Sequence, residues 1–259
     1  MYLGIDHLVI AVPDPEDAAT QLERHLGLAA TGGGRHDALG TYNRVAWLGD
    51  SYIELIGVFD RALAERSWIG QPTLRTLDAG GGLATWAIAT DALDADLADL
   101  RASGSDLGDA IAGERQRADG TTVRWRVSSA PLLGPGEAPF LIEHDGTSAE
   151  WTPADRALRS GGAVSLETLE LAVDEIPMTS QRIGRAVGLR FRPSLTGGGA
   201  RDANLDDQIV RLRPRRGAPG AAVIRLRGPV PEPRAVHLLG CHWVVDSAGQ
   251  SRVKSSGSW

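Results

Sequence analysis

Two side chains in this sequence combine reactive chemistry with an apolar setting. His7 lies inside the alternating run at residues 5–12, and Glu54 is enclosed by Tyr52, Ile53, Leu55 and Ile56. An imidazole in such a strand is by default a hydrogen-bonded core residue. A carboxylate there is more demanding, because burying it unpaired costs several kcal/mol, so Glu54 requires a cation or a proton as partner.

Other groups have chemistry available but also ordinary explanations. His36 follows the glycine run 32–34 and reads either as a site residue or as a surface histidine. Thr41 and Asn43 can donate hydrogen bonds to a substrate or satisfy a local turn. Arg124 can pair with Glu143 or with a substrate carboxylate, and Glu143 itself faces solvent if its strand is shifted by one residue. His144 and Asp145 end that strand and read as rim residues. Trp47, Trp68, Trp86 and Trp125 offer flat faces for a planar ligand, or simply core. His237, Cys241 and His242 are spaced too tightly for a standard zinc site. The late arginines, Arg211, Arg213, Arg215, Arg216, Arg225 and Arg227, form either a solvated strand face or an anion patch.

These residues sit on a repeated grammar. Residues 5–28 align without gaps to 166–189: an alternating strand, then a helix with apolar residues three and four apart, then Gly27-Leu28 or Gly188-Leu189 as its stop. After a four-residue insertion, 31–38 matches 196–203, setting Arg201 opposite His36. Strand-like runs follow at 42–48 and 52–58 in the first copy, and at 208–212 and 221–226 in the later one. Between the copies, 83–90 reads as a strand, 93–103 as a helix, and 121–128 and 140–144 as strands. The expectation is an α+β fold of three βαβββ modules, at about 4–60, 82–146 and 164–230, joined by segments such as Ser160-Gly161-Gly162. One module leaves a sheet face bare, so the first two should pair within 4–146. The third, degenerate module with its tail, 164–259, would pack beside them, use a strand at 235–245, or pair with a second subunit in a homodimer.

Composition narrows the partners. The chain has 259 residues, 42% hydrophobic and 23% charged, and a net charge of −6, which favours a folded protein and argues against a nucleic-acid partner. No apolar run reaches the roughly 20 residues of a membrane helix. The single cysteine cannot close an internal disulfide, and a cytoplasmic location is expected.

Ile5-Asp6-His7-Leu8-Val9-Ile10, Gly33-Gly34-Arg35-His36, Gly40-Thr41-Tyr42-Asn43 and Tyr52-Ile53-Glu54-Leu55-Ile56 together resemble the bacterial glyoxalase-like branch of the vicinal oxygen chelate superfamily. Ala118-Asp119-Gly120, Val123-Arg124-Trp125 and Pro139-Phe140-Leu141-Ile142-Glu143 extend the resemblance over about 4–146. It implies paired modules forming curved mixed sheets around one divalent metal, held by the first and fourth strand of each module. The residues carried over are His7 and Glu54, then Thr85 and Glu143 at the second module's equivalent places. Imidazole and carboxylates suit Zn, Mn, Fe, Co or Ni. Thr85 departs from the pattern, since a hydroxyl is a poor ligand; His36 or water would have to replace it.

The resemblance implies a metal-dependent lyase, isomerase or dioxygenase-like enzyme acting on a small molecule with adjacent oxygens. His36 and Glu143 would move protons, while Thr41, Asn43, Arg124 and Trp125 would bind substrate. The alternative is a metal-free protein that sequesters a hydrophobic or planar compound. In the third module Thr168, Arg201 and Arg225 align with His7, His36 and Glu54, so that module is expected to be structural or to hold an anion.

Overall fold

In the computed structural model, which describes residues 2–116, 120, 122–130, 136–145, 164–215, 222–228 and 233–247, the chain forms two mixed β-sheets. Ala118-Asp119 and the Ser160-Gly161-Gly162 segment lie outside the described residues. The first unit comprises β1 (Tyr2–Ala11), α1 (Pro15–Leu26), β2 (Ala30–His36), β3 (Thr41–Leu48) and β4 (Ser51–Val58). Helix α1 starts where Asp14 accepts hydrogen bonds from the Glu16 and Asp17 amides and Pro15 sets the first turn. It stops at Gly27, whose φ of 72° suits glycine. Gly188 does the same at φ 71° in the later copy, as the sequence alignment predicts.

Short helices α2 (Arg61–Ala64) and α3 (Gly70–Asp78) lead into the second unit: β5 (Gly82–Thr90), α4 (Leu93–Ala102), β6 (Ile111–Gln116), β7 (Thr122–Ser129) and β8 (Pro139–His144). The first sheet runs β2-β3-β4-β1-β5-β8-β7-β6. Strands β1 and β5 are antiparallel at its centre, and each has its own unit's last strand parallel beside it. The two units are therefore related by an approximate twofold. The outer edges approach each other, since Arg115 on β6 donates from Nη1 to the Gly33 carbonyl on β2 at 2.7 Å. This curls the sheet around a hollow.

The third unit is β9 (Ser165–Val173), α5 (Ile176–Val187), β10 (Arg192–Pro193), β11 (Arg201–Leu205) and β12 (Gln208–Pro214). Here the expected boundaries change. The turn at Asp206 (φ 55°) folds β12 directly back along β11 and parallel to β9, so β12 already fills the last place of the unit. Strand β13 (Val223–Gly228), expected to close the third unit, instead lies antiparallel on the opposite edge of β9, as β5 does on β1. It opens a partial fourth unit with β14 (Arg234–Leu238) and β15 (Cys241–Ser247). The tail is thus a hairpin rather than one strand. Leu239 (φ 52°) and Gly240 (φ 71°) form its turn, and β15 lies parallel to β13. The second sheet runs β10-β11-β12-β9-β13-β15-β14.

Strand alternation assigns the faces. Leu8, Ile10, Ile53, Leu55, Trp86 and Ile88 turn toward the helices and share one continuous core with Leu169, Leu212, Ile224 and Trp243 of the second sheet. Burying each such side chain contributes about 1.5–3 kcal/mol. Polar ties accompany this contact: Gln208 accepts from the Ile5 amide at 2.5 Å and donates to Ser51 at 2.9 Å. Cys241 is buried in this layer. Burial pushes its thiol up to about 12, against a smaller opposing effect of a hydrogen bond with the Leu83 backbone, in keeping with a structural role. Among the described residues no helix is long and apolar enough to cross a membrane. The faces turned away from the helices form a separate hollow in each sheet.

Candidate functional site

The first hollow is built on the inward positions of β1, β4 and β8. His7 from β1 and Glu54 from β4 turn into it, with His7 Nε2 3.6 Å from Glu54 Oε2. His7 Nδ1 lies 2.6 Å from Asp6 Oδ1, which fixes the ring and leaves Nε2 toward the hollow. The ring stacks on Tyr52 at 4.4 Å between centroids and meets the edge of Phe140 at 5.4 Å. Glu54 has the partner that its burial requires: Asn43 Nδ2 donates to its Oε1 at 2.5 Å, while Asn43 Oδ1 accepts from the Gly34 amide. His36, at the end of β2, places Nδ1 3.0 Å from Thr41 Oγ1 and packs edge-on against Trp125. Trp68 and Trp125 complete the wall around a cavity of about 50 Å³ that is also lined by Arg115 and His144.

Two groups of this site are shifted from their usual range. Burial alone would raise the Asp6 carboxyl, but the His144 charge and hydrogen bonds from both His144 and His7 outweigh it and hold the group well below the usual carboxylate range. His36 is lowered chiefly by burial, with Arg115 adding to the shift and Glu54 and Asp37 opposing it. A neutral ring at His36 can both donate and accept a hydrogen bond.

The sequence expectations divide. His7, Glu54, His36, Asn43 and Trp125 come together around the cavity. Thr41 is fully buried behind it as the partner of His36, and Asn43 is held between Glu54 and Gly34. Arg124 points outward and pairs with Glu114 at 3.2 Å, so the expected pairing with Glu143 falls instead to Arg126. Glu143, expected as ligand and acid–base group, does not reach the cavity. Alternation along β8 turns Phe140, Ile142 and His144 inward and Leu141 and Glu143 outward. There Glu143 binds Arg126 at 2.5 Å and accepts from the Leu93 amide at the start of α4.

Of the tryptophans, Trp68 and Trp125 line the cavity; Trp86 is fully buried on the helix side, and Trp47 packs behind Tyr52. Asp6, Tyr52, Phe140, Arg115 and His144 belong to the site without having been singled out for it. The parity shared by Ile142 and His144 was a usable signal for His144. Nothing local announces Arg115, which arrives only because the sheet edges meet.

Residues 5–187 match the family model described as a glyoxalase-like domain. The chain belongs to this family, within the vicinal oxygen chelate superfamily. None of the curated proteins matches it. Among solved structures, a hypothetical protein from Staphylococcus aureus superposes with a TM-score of 0.76 at 16% identity, over 94% of this chain and 98% of that one. That likeness extends to the whole two-sheet architecture. A methylmalonyl-CoA epimerase variant from Streptomyces coelicolor, in complex with 2-nitronate-propionyl-CoA, gives 0.44 at 19% identity over 57% of this chain and 99% of its own. The Mycobacterium tuberculosis methylmalonyl-CoA epimerase gives 0.40 at 20%, over 56% and 91%.

Strand register tests whether this glyoxalase-like domain fits a metal held between its units. Across the β1–β5 seam His7 faces Ala87 and Val9 faces Thr85, so exchanging the units carries His7 to Thr85 and Val9 to Ala87. Val9 stands beside Glu54, and Ala87 beside Phe140. The counterpart of Glu54 is therefore Phe140, three residues before Glu143. Thr85 uses its hydroxyl on the Ala138 carbonyl at 2.6 Å, and Phe140 offers only hydrocarbon. Among the described residues no group of three or more His, Cys, Asp and Glu is placed to hold a metal ion. The second unit's residues do not fit the divalent metal that the superfamily resemblance implies.

Proposed function

We propose that the hollow of the first sheet is a metal-free site for a small, flat molecule bearing adjacent oxygens. The observation that carries this reading is the pair Thr85 and Phe140 at the places matching His7 and Glu54. One half of a ligand set is replaced by a committed hydroxyl and an aromatic ring, and the cavity gains hydrophobic wall instead. Tyr52, Trp68, Trp125 and Phe140 then bind a planar body. His7 Nε2, Glu54 Oε2 and His36 read its oxygens. Asp6 fixes the ring of His7, and Asn43 fixes Glu54 by occupying Oε1. The polar groups are oriented before the ligand arrives, while the hollow of about 50 Å³ has to widen at its aromatic wall to admit a planar ring, and that reorganisation opposes binding.

The test is quenching of tryptophan fluorescence by catechol, a planar vicinal diol, with and without EDTA, alongside elemental analysis of the purified protein. Expected are saturable quenching unchanged by chelator, metal far below one equivalent, and weakened quenching in His7→Ala and Glu54→Gln. A second reading, a metal-dependent lyase, isomerase or dioxygenase, is favoured by the convergence of His7 Nε2 and Glu54 Oε2 at 3.6 Å. One equivalent of tightly held metal, with binding abolished by EDTA, would establish that reading and end the metal-free one.

A further inference from the structure

The second sheet keeps a hollow but reverses its chemistry. The gapless repeat places Glu170 where Val9 stands and Thr168 where His7 stands. Glu170 lies beside Arg211 as Val9 lies beside Glu54, so Arg211, rather than the sequence-aligned Arg225, occupies the place of Glu54. Arg225 comes from β13 and faces Thr168 across the seam. Arg201, aligned by sequence with His36, sits on β11, whose counterpart in the first sheet is β3, not β2.

Had this copy simply lost its function, apolar residues could fill the space. Instead it holds a cavity of about 630 Å³ walled by Arg211, Arg213, Arg225 and Arg227. Glu170 is the pillar beneath them, with Arg225 at 2.5 Å, Arg211 at 3.6 Å and Arg213 at 3.7 Å. One guanidinium would satisfy a buried carboxylate; three converge on this one. Asp202 ties down Arg211 from behind with contacts of 2.7 and 2.9 Å. Two carboxylates flank the mouth: Glu167 pairs with Arg227, and Asp246 lies 4.0 Å from Arg225. The Glu170 and Asp202 side chains are 8% and 20% exposed, those of Arg213, Arg225 and Arg227 29%, 36% and 47%, and those of Glu167 and Asp246 32% and 42%, so guanidinium groups reach the opening together with two carboxylates. An entering ligand meets guanidinium N–H groups, five per arginine and arranged as forks that match carboxylate or phosphate oxygens.

We propose that the hollow of the second sheet binds a small, multiply charged anion carrying phosphate or carboxylate groups, held by Arg213, Arg225 and Arg227 with Glu170 and Asp202 as positioning residues. The site is separate from the first hollow and does not depend on what occupies it.

The experiment is calorimetric titration of the full chain with pyrophosphate and with citrate at fixed ionic strength. Saturable binding of at least one is expected. Preference for pyrophosphate would assign phosphate chemistry, and preference for citrate would assign carboxylate chemistry. Arg213→Gln with Arg225→Gln should weaken binding at least tenfold with an unchanged circular dichroism spectrum, while His7→Ala should leave it intact. Should the double variant not fold, the exposed Arg227→Gln carries the test and should weaken binding several-fold. Absence of saturable binding by both anions, or affinities unaltered in the folded arginine variants, would overturn the proposal.

Discussion

Asp6 and His144 stand 138 residues apart, yet the Asp6 carboxylate lies 3.1 Å from His144 Nε2. The same carboxylate holds His7 Nδ1 at 2.6 Å, so one buried acid fixes a ring from each unit of the first sheet.

Replacing Asp6 by Asn removes the charge that both rings face. Its folded pKa is depressed, so its stabilisation is fully present above the ordinary value of 3.8 and is lost as pH falls through the folded value. At pH 7 Asp6→Asn should cost about 1.5–3 kcal/mol, typical of hydrogen bonds to charged groups. Urea unfolding at pH 7 and pH 3 checks this: the gap between native and variant should narrow at pH 3, and an equal gap at both would refute a charge-based role.

Restoring the two absent ligands should restore metal affinity. In Thr85→His with Phe140→Glu, thermal unfolding without metal should occur below that of the native chain, because a carboxylate replaces a buried ring. Zn or Ni should then raise the variant's melting temperature, since metal at about 100 times its Kd adds roughly 2.7 kcal/mol. The native chain should show no such rise.

Glu143 and Glu54 should separate cleanly in one assay. Glu143→Gln breaks a partly exposed pair with Arg126 and should cost about 0–1 kcal/mol, leaving catechol quenching untouched. Glu54→Gln should weaken quenching. Equal effects on quenching would contradict the assignment of Glu143 to the outer face.

Gly33 is required by its backbone and by its neighbour. Its φ is 136°, and a Cβ there would come within 2.2 Å of the Asn43 carbonyl oxygen. Gly33→Ala should cost about 1–3 kcal/mol or more and disturb the strand that supplies Asn43 to Glu54. Thermal unfolding and catechol quenching should both report it.

Local patterns made much of the first sheet legible. Period-two runs marked β1, β3, β4 and β5, and Gly27 and Gly188 marked where helices stop, because both depend on a few adjacent residues. The repeat between 5–28 and 166–189 likewise survived because β1-α1 and β9-α5 are the same strand–helix unit, each ending at a left-handed glycine. His7 and Glu54 were visible as polar groups in apolar strands.

What remained hidden depended on partners distant in the chain. Whether Glu143 or Phe140 answers Glu54 is a matter of register between β5 and β8, and a shift by an odd number of residues reverses the face of every side chain. Strand β13 looked like the end of the third unit because its sequence cannot say which edge of β9 is already taken by β12. Arg115 enters the first cavity only when the edges β2 and β6 approach. By itself, then, the sequence determined the repeat, the family and the more regular strands and helices, since these reside in short-range pattern, whereas β2, β6, α2, α3 and the β14-β15 hairpin were not legible in it. Only the tertiary structure decided which side chains share a hollow and of what sign, because pairing between strands far apart in the chain sets both.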